Sequence, residues 1–287
     1  MKAIYKKELR SYFHGIIGWL FLFFFFGITA VYVYVDNILG GYPNFEVVLE
    51  PVALVYCFVV PMITMRFMAE ENKQKTDQLL LTSGVSVEKI VAGKLLAAFT
   101  LPSIAVLVCC FIPLLLSLFG KVNMASSYSG ILGFLLMACA YIAIGAFISC
   151  TTEHQIPAAI ITYGAIFFTW LAQGIGGLFE TDSRTAYVTF AVMMLIVIFL
   201  IHHFMHNTVV TAVFAVVTEV PLMLVRFIKP TLLEGKVADV FGYFSMIGRL
   251  DNFLRGVFDV SALVYYMTII ALFYYLAVRA IKKRRWN

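Results

Sequence analysis

Long apolar runs separated by short charged segments set the pattern of this chain. Eight of them reach the roughly 20 residues that a helix rising about 1.5 Å per residue needs to cross a hydrocarbon core of about 30 Å. They are Gly15–Val35, Val47–Met65, Leu95–Phe119, Gly130–Cys150, Ile156–Phe179, Ala186–Met205, Thr208–Ile228 and Ser261–Ala280. Transmembrane strands would alternate over about 10 residues, and blocks such as FLFFFFGI at Phe21–Ile28 do not alternate. The pattern predicts an all-α integral membrane protein, a polytopic bundle forming one transmembrane domain over residues 1–287. Between Ala186 and Ile228 the two runs are divided only by HHFMHN. His is mostly neutral at pH 7, so a re-entrant hairpin that leaves six spans is the alternative to eight. Eight is preferred because each run is long enough to cross alone.

Three polar stretches have amphipathic character. In residues 1–14, Ile4, Tyr5, Leu9, Tyr12 and Phe13 share one helical face and Lys2, Lys6 and Arg10 point elsewhere, the pattern of a basic helix on the inner membrane surface. In residues 66–94, RFMAEENKQKTDQLLLTSGVSVEKIVAGK, a charged half leads to the apolar patch Leu79, Leu80, Leu81, a turn at Thr82-Ser83-Gly84 and a second amphipathic stretch. Such a patch suits either a soluble partner or the inner leaflet. In residues 236–259, two apolar stripes flank Gly248, which predicts two short outer interfacial helices broken there.

Composition agrees. Only 13% of residues are charged and 62% are hydrophobic, against roughly 25% and about half in soluble domains, so a water-soluble fold is excluded. Charge placement adds orientation. Of 21 Lys and Arg, fourteen lie before span 1, between spans 2 and 3, or at the C-terminus. Those segments share one side for any even span count, so the positive-inside rule predicts that both termini are cytoplasmic. The first run is too long for a signal-peptide core and is expected to be retained. Five Cys inside apolar runs, without a CxxC, predict buried thiols rather than a disulfide or metal framework.

Little in the chain suggests chemistry. Glu219 is the only acid near the middle of a predicted span, and an ionisable group at that depth needs a protein or water partner. Arg226, two turns along the same face, and Gln173 of span 5 are its candidate partners in a polar lock, with substrate or proton handling as the alternative. His202, His203 and His206 have helical spacing compatible with a metal, but no Cys, Asp or Glu stands nearby to complete a shell, so a polar collar is the reading. No catalytic residue, cofactor site, metal site or nucleic-acid patch is expected, and KKRR near the C-terminus reads as a topology and lipid anchor.

The loop at residues 66–94, with its acidic pair, leucine run, turn and Gly93-Lys94, resembles the segment after the second span in type-2 exporter-class ABC transporter permeases. The opening Ile4-Tyr5-Lys6-Lys7-Glu8-Leu9-Arg10-Ser11-Tyr12-Phe13 is similar to that family's first helix. The ending, with Asn252-Phe253, Arg255-Gly256-Val257-Phe258-Asp259, Val264-Tyr265-Tyr266 and Arg284-Arg285-Trp286, looks like its gliding-motility-type branch. The chain departs from the family's usual six spans by about forty apolar residues between Ala186 and Ile228, and from its frequent turn proline by Gly84.

The resemblance implies a permease half, which forms half of a substrate path and is driven from outside the chain. No Gly-x-x-x-x-Gly-Lys-Ser/Thr occurs here to cradle ATP phosphates, so the partner is expected to be a separate cytoplasmic ATP-binding subunit. By carry-over, Glu70, Glu71, Thr76, Leu79, Leu80 and Leu81 of a coupling helix meet that subunit, and Glu153, His154 and Gln155 of the turn between spans 4 and 5 resemble a smaller second contact. The family reading further implies export, a second permease subunit as homodimer or heterodimer, and a bacterial inner or cytoplasmic membrane. An ion-coupled carrier or channel without an ATPase is the competing reading, and it would want more buried ionisable groups than one.

Overall fold

A computed structural model describes residues 1–74, 84–178, 183–205, 215, 217–219, 221, 223–225, 227 and 233–286. The described elements are α1 (Lys2–His14), α2 (Ile16–Tyr32, widening into a π-helical segment Val33–Leu39), α3 (Glu46–Thr64), α4 (Ala69–Gln74) and α5 (Val87–Cys109). They continue with α6 (Phe111–Leu116), α7 (Met124–Thr151), α8 (Gln155–Leu178), α9 (Ser183–Met205), α10 (Lys236–Phe244), α11 (Met246–Leu254) and α12 (Val260–Trp286). No strand occurs among them.

Six stretches of described helix are long and apolar enough to cross a membrane: Ile16–Leu39, Glu46–Lys73, Val87–Leu116, Met124–Thr151, Gln155–Leu178 and Val260–Lys283. They correspond to predicted spans 1 to 5 and the last. Side chains such as Phe23, Leu107 and Ile160, exposed by 72%, 64% and 65%, form apolar surface of a kind that lipid covers. The chain is a multi-pass membrane protein. The predicted count of eight is not reached among the described residues. The sixth run belongs to α9, whose described apolar part, Arg184–Leu195, is shorter than a span, and most of the seventh, Thr208–Ile228, lies outside the described residues.

Two compact units divide the chain, Met1–Phe168 with Ile247–Asn287, and Thr169–Met246. In the first, α7 lies against α3, α5 and α12. Lipid offers helices no hydrophobic drive to associate, so close packing must hold them, and small residues allow it. At Gly133 an added Cβ would stand 2.7 Å from the Phe253 ring, and at Gly145 it would collide with Thr64 and come within 2.9 Å of Thr162. Farther in, Phe25, Tyr56 and Phe134 are wholly buried. Their ring centroids lie 6.1 Å (Phe25 to Tyr56), 6.0 Å (Phe25 to Phe134) and 4.6 Å (Tyr56 to Phe134) apart, pinning α2, α3 and α7 together. Thr29, Thr64 and Thr162 satisfy their hydroxyls on carbonyls one turn back.

Local chemistry sets several ends. Pro113 cannot donate, and its ring clashes with the carbonyl of residue 109, so the third span breaks at Cys110 between α5 and α6. Asn123 caps α7 by accepting from Ser126 N at 3.3 Å. Asp259 caps α12, accepting from Ser261 N at 2.8 Å and Ala262 N at 3.3 Å while Asn252 Nδ2 donates to it at 2.7 Å. The break predicted at Gly248 falls instead at Ser245, whose extended backbone ends α10, and Gly248 lies inside α11. The five cysteines form no disulfide, and Cys57, Cys109 and Cys150 are buried. In the second unit Ala186, Leu233 and Val237 form a small core with Tyr187, Phe190, Val225 and Phe241.

Gly145→Val should lower thermal stability in detergent by about 1–3 kcal/mol, because two buried threonines block the added carbons. Gly164→Ala, where nothing lies within 4 Å of an added Cβ, should leave it unchanged. Asp259 titrates below the usual carboxylate range because Asn252 donates to its charged form, with the two backbone donors of α12 adding to this. A depressed carboxylate stabilises the fold fully above the unfolded value near 4. The stability gap between the native protein and Asp259→Ala should therefore hold at neutral pH and close as pH falls below about 4.

Candidate functional site

At one end of the first unit the residues around both arms of the 66–94 loop come together. The first turns of α5 read Val87, Ile90, Val91, Lys94, an i, i+3, i+4, i+7 stripe that packs inward and takes Lys94 with it. Its side chain is 3% exposed. Nζ lies 3.2 Å from Glu8 Oε1 of α1 and 3.0 Å from Glu71 Oε2 of α4, and donates to Phe67 O at 2.9 Å. Glu71 Oε2 makes no aligned hydrogen bond, so its link to Lys94 is Coulombic. Lys7 adds a more exposed second cation, 3.3 Å from Glu71 and 3.7 Å from Glu8. Two ammonium groups thus balance two carboxylates.

These groups line a polar cavity of about 360 Å³ with Ser11, Tyr12, Arg66 and Glu70. Burial pushes the Tyr12 hydroxyl well above its ordinary pKa, and the neighbouring Glu8 charge pushes the same way, so it stays protonated. Part of the apolar face of α1 meets α5: Ile4 lies against Gly93, and Tyr12 is buried.

The end of α7 supplies a second fastening. Ser149 Oγ accepts from Met68 N at 3.1 Å and Ala69 N at 3.2 Å and donates to Met65 O at 3.3 Å, satisfying the backbone at the start of α4. Asn72 Nδ2 donates to Thr152 O at 3.1 Å. The arm leading into the loop is therefore tied directly to the 151–155 turn. From the other side, Lys282 of α12 pairs with Glu88 and Tyr274 Oη donates to Glu88 O at 3.2 Å. Helix α5 is thus held beyond the loop as well.

The predicted contact residues divide accordingly. Glu70 pairs with Arg66 at 3.9 Å, whereas Glu71 points inward at Lys94. Glu153 and His154 are exposed and Gln155 is half-buried at the start of α8. Thr76, Leu79, Leu80 and Leu81 lie outside the described residues. Glu219 is half-buried, and its Oε1 is out of solvent with no hydrogen-bond partner among the described residues. Arg226 and the three histidine side chains lie outside the described set, and Gln173 is exposed. No metal-binding group of His, Cys, Asp or Glu occurs among the described residues.

A model of the ABC-2 family transporter proteins matches residues 36–228, about two thirds of the chain. The chain belongs to the ABC-2 transporter family. A comparison with curated proteins finds no match. Membership makes this ABC-2 chain a permease component of an ABC transporter, and the family match spans both the described arm at 69–74 and the 151–155 turn.

Ser149, Lys94 and Asn72 were absent from the sequence-based site. For Lys94 a signal existed, since a cation at an inward stripe position must find carboxylates. Ser149→Ala should leave two buried N–H groups without their acceptor, costing about 1–3 kcal/mol. Hydrogen exchange of residues 68–74 should rise in the variant while the core of α7 stays protected.

Proposed function

We propose that this chain is the membrane half of an ATP-driven exporter, coupled through the 66–94 loop to a separate ATP-binding subunit. The supporting observation is the fastening of α4 to the 151–155 turn through Ser149 and Asn72. The described arm of the first segment expected to meet an ATPase is thereby tied to the second. The same end gathers Lys2, Lys6 and Arg10 of α1, Lys89 of α5 and Lys282 of α12, in keeping with a cytoplasmic side that holds both termini.

In this reading ATP binding closes paired ATPase subunits, and the closure displaces the loop and turn together. The rigid spans carry that displacement to an interface between two permease halves, where a substrate path opens. The path is read as lying between two chains, so the working unit is a dimer of halves, identical or pseudo-symmetric. Hydrolysis belongs to the partner, since no phosphate-cradling motif occurs in this chain. The two ends of the chain favour the gliding-motility-type branch in a bacterial inner membrane. The additional apolar residues between Ala186 and Ile228 are read as two crossings that bring the count to eight.

Affinity purification of the intact chain from membranes co-expressing an ATP-binding subunit should recover both. Leu79→Asp or Leu80→Asp should reduce that recovery at least tenfold, because a buried unpaired carboxylate costs several kcal/mol. Undiminished recovery with both variants would remove the coupling assignment.

A further inference from the structure

Lys94 is the only buried cation among the described residues, and its partners come from separate parts of the chain. Glu8 belongs to α1, Glu71 to α4, and the Phe67 carbonyl to the turn between α3 and α4. An ammonium removed from water is tolerated only while such partners remain in place. Separating α1 from α5 would take Glu8 from Lys94 and leave Glu8 only the longer contact to exposed Lys7 at 3.7 Å, and separating α4 would take Glu71 from both lysines. Packing reinforces the first contact: at Gly93 an added Cβ would stand 3.3 Å from both Ile4 and the Met1 carbonyl. Charge and shape together join α1, α4 and the start of α5.

A buried ion pair is a poor way to gain stability, since apolar replacements of like volume often do as well or better. What it supplies is a fixed geometry among elements that have no backbone hydrogen bonds in common. We propose that Lys94 is a positioning residue that makes the N-terminal helix part of the moving apparatus, so that α1 shifts together with α4 when force reaches the loop. The proposal rests on the permease reading above. It differs from a membrane anchor, for which α1 would stay with the lipid while the loop moved.

The test is a pulsed electron-spin distance measurement on the intact permease with its co-expressed ATP-binding subunit in lipid nanodiscs. Labels borne by non-canonical amino acids replace exposed Lys6 of α1 or Lys73 of α4, each paired with exposed Lys121 at the other end of the bundle. ATP with vanadate supplies the closed state. In the native protein the 6–121 and 73–121 distances should shift together. In Lys94→Met/Glu8→Gln/Glu71→Gln, where no charge is stranded, the 73–121 shift should persist and the 6–121 shift should fall at least twofold. Lys94→Arg should retain both shifts.

A native 73–121 shift without a 6–121 shift would overturn the proposal while leaving the permease reading intact, as would an undiminished 6–121 shift in the triple variant. Failure of any ATP-binding subunit to associate would overturn the permease reading and this proposal with it. The native comparison can overturn the proposal even if the triple variant does not fold.

Discussion

A lysine ammonium in a nearly dry site must have its charge answered and its protons shared, and Lys94 meets that demand with two carboxylates and a carbonyl. The demand is stringent because removing one partner of a buried pair typically costs about 3–5 kcal/mol. It therefore fixes the positions of its neighbours more strictly than an apolar contact, which tolerates sliding. Through Glu8 it determines where α1 lies, and through Glu71 where α4 begins. The loop thus leaves from an arm held on two sides, by Lys94 and by the Ser149 hydroxyl, and returns into a helix clamped by Lys282 and Tyr274 of α12.

What those fastenings act upon is a bundle whose packing depends on closeness. Gly133 and Gly145 admit Phe253, Thr64 and Thr162 almost to the backbone of α7, and the Phe25, Tyr56 and Phe134 rings fill the centre. Densely packed interiors transmit displacement because they have little room to absorb it. A bundle of this kind can move as a body when one end is pushed, which is what the proposed coupling requires.

Much of the architecture was legible in the sequence because the bilayer imposes a length. Spans 1 to 5 and the last appear where runs of about 20 apolar residues stand. The amphipathic helix of residues 2–14 was legible by its period, although part of its stripe, Ile4 and Tyr12, packs on protein rather than lipid. Gly248 misled because glycine is tolerated inside a short packed helix, and the chain turned at Ser245 instead. Lys94 was read as one of many inner-side cations, since counting charge ignores register. Its place on the 87, 90, 91, 94 stripe carried the information, but its acids lie 86 and 23 residues away in sequence, and only folding brings them near. Ser149 offered no signal at all, being one small residue among many on α7.

In the proposed coupling the leucine-bearing loop receives motion from a nucleotide-driven partner. A photo-crosslinking amino acid at Leu80, activated in intact membranes and analysed by mass spectrometry, reports what that position touches. The account predicts one dominant adduct, the ATP-binding subunit, on the same side of the membrane as both termini. Adducts with lipid alone, or labelling of residue 80 by an impermeant reagent added outside the cell, would contradict it.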